Sequence, residues 1–344
     1  MAVKSRNQMV VVGTIIETNV KYSPDEKSIF DDKIKGAFVK DDFKNPMFRI
    51  EVAENEEKMI SHAIVDVDMY SIFKQRSKKD SDELIENETF KALANLFDYD
   101  DVHEEWNFDT AIGKRIKISG SLVENMYAKD EEIKRFNQIQ GSYVETNPSK
   151  IPDFDYAEVK LSGYINKIVD ETVGEDETPT GRKKVQFLYV TTPRDELTGN
   201  FLDLIVPADI VDGFEETLGE GDNANIDVEI VTVTVGGKAE SKKGFGKKAS
   251  HVVGGFTTTE YRIFDGLEIE EPDEDDTTSK FLTDKDVRKA KQMRKTVAEA
   301  KIKKAKEKAS EKASESSSKG LGKYKKSSVN DADVPVDDED PFFN

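Results

Sequence analysis

The chain has 344 residues, 36% of them hydrophobic and 35% charged, which suffices for about two ordinary domains plus sequence that stays in water. It has no cysteine, which excludes a disulfide framework, thiol catalysis and thiolate metal sites, and no apolar stretch approaches the roughly 20 residues of a membrane span. The net charge of −19 argues against nucleic acid only as a sum: basic residues dominate between Lys285 and Lys326, while acids gather at Glu268 to Asp276 and Asp331 to Asp340.

The first segment, Met9 to Val20, is β-branched with a central Gly13 and reads as a strand. Its apolar stretch ends at Glu17 with no cleavage signal behind it, so the expectation is a soluble cytoplasmic protein. Ile34 to Lys40, Met47 to Ala53 and Ser61 to Met69 read as further strands, the last alternating apolar and polar. The period then changes: Leu84, Ile85, Phe90, Leu93, Ala94 and Phe97 fall near one helical face, predicting a helix over Ser81 to Phe97. Lys114 to Tyr127 and Ile133 to Val144 follow as strands, and Pro148 and Pro152 mark a boundary.

The second half repeats that order without repeating the sequence. Ala157 to Val169, with Gly163, is a strand; Thr172 to Gly181 is a polar loop; Lys183 to Thr191 and Asn200 to Val206 are strands. Pro207 to Leu218 is a short helix, Ala224 to Val235 a strand, Gly236 to Ser250 a loop, and Val252 to Phe264 the last strand. One short echo links the halves: Gly113 and Gly221 each follow the helical segment and open an alternating strand. A helix before the last hairpin of a five-stranded antiparallel sheet is the element order of an OB-fold barrel, and glycines suit its coiled first strand. The predicted fold is therefore mainly β. It comprises two tandem OB-like barrels at 1–150 and 151–272, then a linker at 273–330 with a basic helix at about 283–313, and a disordered acidic tail at 331–344. Two generic β-sandwich or β-roll domains are the alternative. The basic helix, capped by Thr283, has a thin, alanine-rich apolar face with little to pack on, and disorder is expected from Ser310 onward.

Nothing predicts catalysis, a cofactor or a metal. His62, His103 and His251 are far apart in sequence, the carboxylate runs are contiguous, and no glycine-rich phosphate loop precedes a helix. Binding of single-stranded nucleic acid needs cations along phosphates and aromatic faces for bases. Phe48 and Arg49 lie on one strand, with Lys78 and Lys79 in a later loop. Lys114, Arg115 and Lys117 open a strand that ends near Tyr127, and Lys134, Arg135 and Phe136 face it across a hairpin. In the second half Lys183 and Lys184 precede Phe187 and Tyr189. The loop with Lys242, Lys243, Phe245, Lys247 and Lys248 lies where such a barrel extends a loop over its ligand. For Phe136 and Phe187 the competing assignment is core packing, and for the scattered lysines a solvated surface, whereas Phe245 between glycines and four lysines has no packing reason to be there.

The chain ends Asp337, Asp338, Glu339, Asp340, Pro341, Phe342, Phe343, Asn344. Acidic residues keep such a tip extended while two phenylalanines offer apolar anchors, a composition suited to a basic-rimmed pocket on a partner. Together with an OB-like body and a low-complexity linker, the run Asp337 to Phe342 resembles the single-stranded-DNA-binding proteins of bacteria and their phages. Phe343 and Asn344 depart from that family's pattern, in which the last Phe carries the terminal carboxylate. The resemblance implies a protein that coats single-stranded DNA in replication, recombination or repair. Its tip would recruit a helicase, polymerase or recombinase. Two dissimilar barrels in one chain imply a large-phage version working in the host cytoplasm. A scaffold that binds no nucleic acid, its basic segment pairing with acidic partners, is the second expectation.

Overall fold

The computed structural model describes residues 5–19, 30–31, 37–38, 47–69, 74–76, 84–86, 92–93, 95–100, 105–129, 132–174, 176–191, 197–235, 238–241, 250–253, 256–272 and 280–318. In the first half five strands close on themselves: β1 (Asn7–Asn19), β2 (Met47–Val52), β3 (Ala63–Met69), β4 (Arg115–Lys129) and β5 (Glu132–Glu145). Pairs β1–β2, β2–β3, β4–β5 and β4–β1 are antiparallel, and β3–β5 is parallel. Alternation sets the inside, so Ala63, Val65, Val67 and Met69 of β3 are fully buried. The second half uses β6 (Tyr156–Val173), β7 (Thr178–Thr191), β8 (Thr198–Val206), β9 (Asn223–Val235) and β10 (Phe256–Glu268) in the same circuit, with β8–β10 as the parallel closure. Helix α1 (Val211–Thr217) lies between β8 and β9. Both circuits are OB-fold barrels.

Some expectations change. The segment Ser81 to Phe97 does not form one helix: Leu84–Glu86 is a short strand paired with Lys74–Arg76, and among the described residues only 92–93 are helical. Leu93, Leu96 and Phe97 still reach the core, so burial follows the apolar pattern while local pairing overrides its period. Within Ile34 to Lys40 only Ala37–Phe38 is strand, in a ribbon with Phe30–Asp31. The loop at Thr172 to Gly181 is mostly strand, because β6 and β7 extend into a hairpin, with Gly174 at φ 75° and the Glu177 N–H donating to its carbonyl. Likewise Lys238–Ser241, inside the segment read as a loop, is a strand that pairs with Ser250–Val253.

The two barrels are related by a pseudo-two-fold axis. Strands β1 and β6 pair antiparallel, from Asn7 opposite Leu161 to Val12 opposite Tyr156. Gly13 and Gly163 hold equivalent places: a Cβ on either would lie 2.3 Å from a backbone oxygen, of Glu51 or Leu188, so only glycine fits. Equivalence then extends outward. The β1–β2 register slips between Ile15 and Glu17, and β6–β7 slips between Ile165 and Lys167. The β4–β5 slip at Ser119/Gly120 matches the β9–β10 slip at Asp227/Val228. Gly113 donates to the Ile15 carbonyl as Gly221 does to that of Ile165, both glycines at positive φ. Met9 and Val159, partners in β1–β6, are themselves equivalent, so the axis passes between them. A continuous cluster of buried side chains runs through both barrels.

Helix α2 (Asp284–Ser318) begins in a reciprocal capping box: Asp286 N–H donates to Thr283 Oγ1, and Thr283 N–H to the Asp286 carboxylate. Although the sequence predicts little for it to pack on, Leu282, Val287 and Ala290 are buried against Leu188, Val190 and Leu197 of barrel 2. The sparse apolar positions suffice because Gly199 removes a side chain where the Ala290 carbonyl approaches. The helix also continues through the residues beyond Ser310, as far as Ser318. No helix among the described residues is long and apolar enough to cross a membrane.

Candidate nucleic-acid interface

The β4–β5 hairpin has two unlike faces. Its inward face carries Glu124, Arg135 and Asn137. Asn137 exchanges hydrogen bonds with the Asp203 backbone on β8, and Arg135 binds the Asp203 carboxylate at 2.7 Å. The Glu124 side chain is only 1% exposed. It accepts from the Phe201 N–H at 3.0 Å and from both Nε and Nη2 of Arg294 on α2. Lys301 of α2 donates to the Met126 carbonyl. A hairpin of barrel 1 is thereby clamped to barrel 2 and to α2.

The outward face is free of that packing and presents aromatics. Tyr127 is 44% exposed, Phe136 46% and Tyr143 42%. Tyr127 and Phe136 meet edge to face with centroids 6.3 Å apart. Lys134 pairs across the hairpin with Tyr127, and Lys117 with Glu145. Asn125 and Gln138 on the same face hydrogen-bond to each other at 3.0 Å. From Phe136 to Tyr143 the strand runs roughly 20 Å at its usual rise. Beside Phe136 a cleft of about 220 Å³ opens between the barrels, lined by Asn137, Asp203, Thr258, Thr259 and Tyr261. Burial raises the Tyr261 hydroxyl well above the usual phenol range, so it stays a neutral hydrogen-bonding group there. Stacking surfaces, amides and cations in one extended strip can hold a flexible anionic strand.

Of the residues predicted for such contacts, Tyr127, Phe136, Lys134 and Lys117 come together on this strip. Lys184 lies elsewhere, in a groove on barrel 2 with Lys167, Gln186 and Ile205. Phe48 and Phe187 are completely buried and Tyr189 nearly so. Phe48 stacks on Phe97, and none of the three has a ring face for a base, because each lies at an inward position of its strand. Several cations are held by the chain's own groups. Arg49 is raised in pKa first by its hydrogen bond to Asp66, and Glu17 also pairs with it. Lys183 is raised by Asp170 and Glu215. Lys114 donates to the Leu96 carbonyl, and Arg115 binds Asp155 and the Pro152 carbonyl, tying down the link between barrels. Arg135 is one of the clamp residues. Lys78, Lys79, Lys242, Lys243, Phe245, Lys247, Lys248 and the tip Asp337 to Phe343 lie outside the described residues. Sequence reasoning missed Tyr143, Asn125 and Gln138, although the alternation through β5 puts Gln138 and Phe136 on one face. Tyr143 joins that face only because of the bulge beside it. Among the described residues no group of His, Asp or Glu is placed to hold a metal ion.

The YorF family model matches residues 7–319 of the chain. Among solved structures, the wild-type single-stranded DNA binding protein from Thermus aquaticus is similar at a TM-score of 0.41 and 13% identity, over 78% of this chain and 96% of that one. A deletion mutant of the same protein gives 0.41 and 13%, over 80% and 100%. No curated protein matches the chain.

Proposed function

The chain belongs to the YorF family, and we propose that it is a non-enzymatic single-stranded-DNA-binding protein that coats the strand during replication or recombination. The observation that carries this reading is the outward face of β4–β5. Three large aromatic side chains stand exposed there in line, with Lys134 and Lys117 beside them, on a hairpin whose other face is firmly packed. Exposed aromatics on a rigid, solvent-facing strand pair have no role in the core, whereas base stacking uses their faces and phosphate contact uses the lysines. The acidic tip Asp337 to Phe343 is proposed to recruit replication or recombination enzymes, with the Pro-Phe-Phe run as anchor and the carboxylates as guide. A large-phage origin fits this reading.

A second reading, a scaffold without direct nucleic-acid contact, is favoured by one observation: Arg49, Arg115 and Lys183 are all engaged by carboxylates of the chain itself. Titration of fluorescent oligo-dT and of duplex at several salt concentrations separates the two. Preference for the single strand with a steep salt slope is the expected result, and absence of binding at about 50 mM salt sinks it.

A further inference from the structure

Helix α2 covers two aromatic rings on the outer face of barrel 2. Lys291 Nζ stands 5.4 Å from the ring centroid of Tyr164 on β6, and the Arg294 guanidinium 4.6 Å from that of Phe201 on β8. This is the face formed by the first three strands of the barrel, where an OB fold characteristically takes oligonucleotides. The rest of the same face carries a groove lined by Lys167, Lys184, Gln186 and Asp203, the last held by Arg135 of barrel 1. The aromatics of this ligand face lie under the helix, with Arg135 of barrel 1 also 5.9 Å from the Phe201 ring centroid.

We propose that Tyr164 and Phe201 form a second stacking site for single-stranded nucleic acid, gated by α2. This rests on the function proposed above and adds a site and its control. A base and a guanidinium use the same π face of a ring, so strand and helix exclude each other there. The helix contributes few buried side chains to hold its place: within it only Val287 and Ala290 are buried among the described residues, with Leu282 just before its start. It is also attached by the pair Arg294–Glu124, and that same arginine covers Phe201. By linkage, whatever releases α2 tightens strand binding by the factor with which the strand loosens α2. A partner pulling on the segment that follows α2 would therefore open the site.

Ala290→Glu places a carboxylate in the buried contact with Leu188 and Val190 while keeping a good helix former in α2. Gly199→Val disturbs the same contact from the strand side, and serves if the first variant fails to fold. Hydrogen exchange of the α2 amides reads undocking without any DNA. With α2 undocked, oligo-dT is expected to bind about tenfold tighter and to occupy a longer site, and adding Phe201→Ala removes the gain. Freely exchanging α2 amides with unchanged affinity and site length overturn the gate and make α2 a permanent strap. If the wild type binds oligo-dT and the variant gains nothing, the gate alone falls; if neither binds, the functional reading falls with it.

Discussion

The two barrels share their circuit, bulges and glycines, yet their outer faces have diverged. Where barrel 2 has Tyr164, Leu188, Val190 and Phe201, barrel 1 has Thr14, Glu51, Ala53 and Ile64 at the equivalent positions. The first set is apolar and takes α2; the second mixes polar Thr14 and Glu51 with Ala53 and Ile64, and has Glu51 beside His62 at 3.5 Å. The hairpins show the same divergence at a single position. Glu124 of β4 and Thr232 of β9 are equivalent, and each reaches across the pseudo-dyad to cap the same backbone N–H, of Phe201 or of Ile64. Thr232 also donates back to the Ile64 carbonyl, so its contact is neutral and complete. Glu124 brings a buried charge: Arg294 of α2 hydrogen-bonds it, and Arg135 of its own hairpin lies 3.7 Å away. One duplicated frame thus carries a buried ion cluster completed by the helix on one side and a neutral contact on the other.

Mutations at equivalent positions test that comparison. Glu124→Ala strands Arg294 and leaves the Phe201 N–H without its acceptor, and is expected to cost about 3–5 kcal/mol in denaturant unfolding. Gly13→Ala and Gly163→Ala each drive a methyl into a backbone carbonyl and should cost similar amounts, about 1–3 kcal/mol or more. A large inequality between them would show that the two first strands do not share one geometry. For binding, Phe136→Ala is expected to weaken oligo-dT by about 1–3 kcal/mol. By contrast Phe264→Ala, on the other hairpin beside Asp265, should leave the affinity within about twofold. Equal losses would mean that both hairpins carry strand. Thr232→Ala, the neutral counterpart of Glu124→Ala, should cost about 1–2 kcal/mol. If it matches Glu124→Ala, the buried charge is not what distinguishes the hairpins. Least of all, Arg49→Gln at the half-exposed pair with Asp66 should change stability by about 0–1 kcal/mol, again by denaturant unfolding.

Much of the frame is legible in the residues. Alternation through β3 and β9 places the strands, and the β-branched run around Gly13 marks a first strand that must coil. The echo of Gly113 with Gly221 marks a backbone contact made identically in both halves. The candidate site was legible only in part. Phe48, Phe187 and Phe136 are alike as letters, each near a cation on a strand, and the sequence does not say that the first two point inward. A bulge reverses which side a residue faces, and for that reason Tyr143 went unnoticed.

By itself the sequence determined the local grammar of this protein: two sets of strands, the glycines where backbones touch, the cap at Thr283, and the segregation of charge. Those follow from steric and hydrogen-bonding rules that act over a few residues. The tertiary structure alone decided which aromatics stay exposed, which cations are neutralised by distant carboxylates, and that a thin-faced helix docks. Each of these depends on partners such as Glu124 and Arg294, 170 residues apart, whose meeting no local pattern encodes.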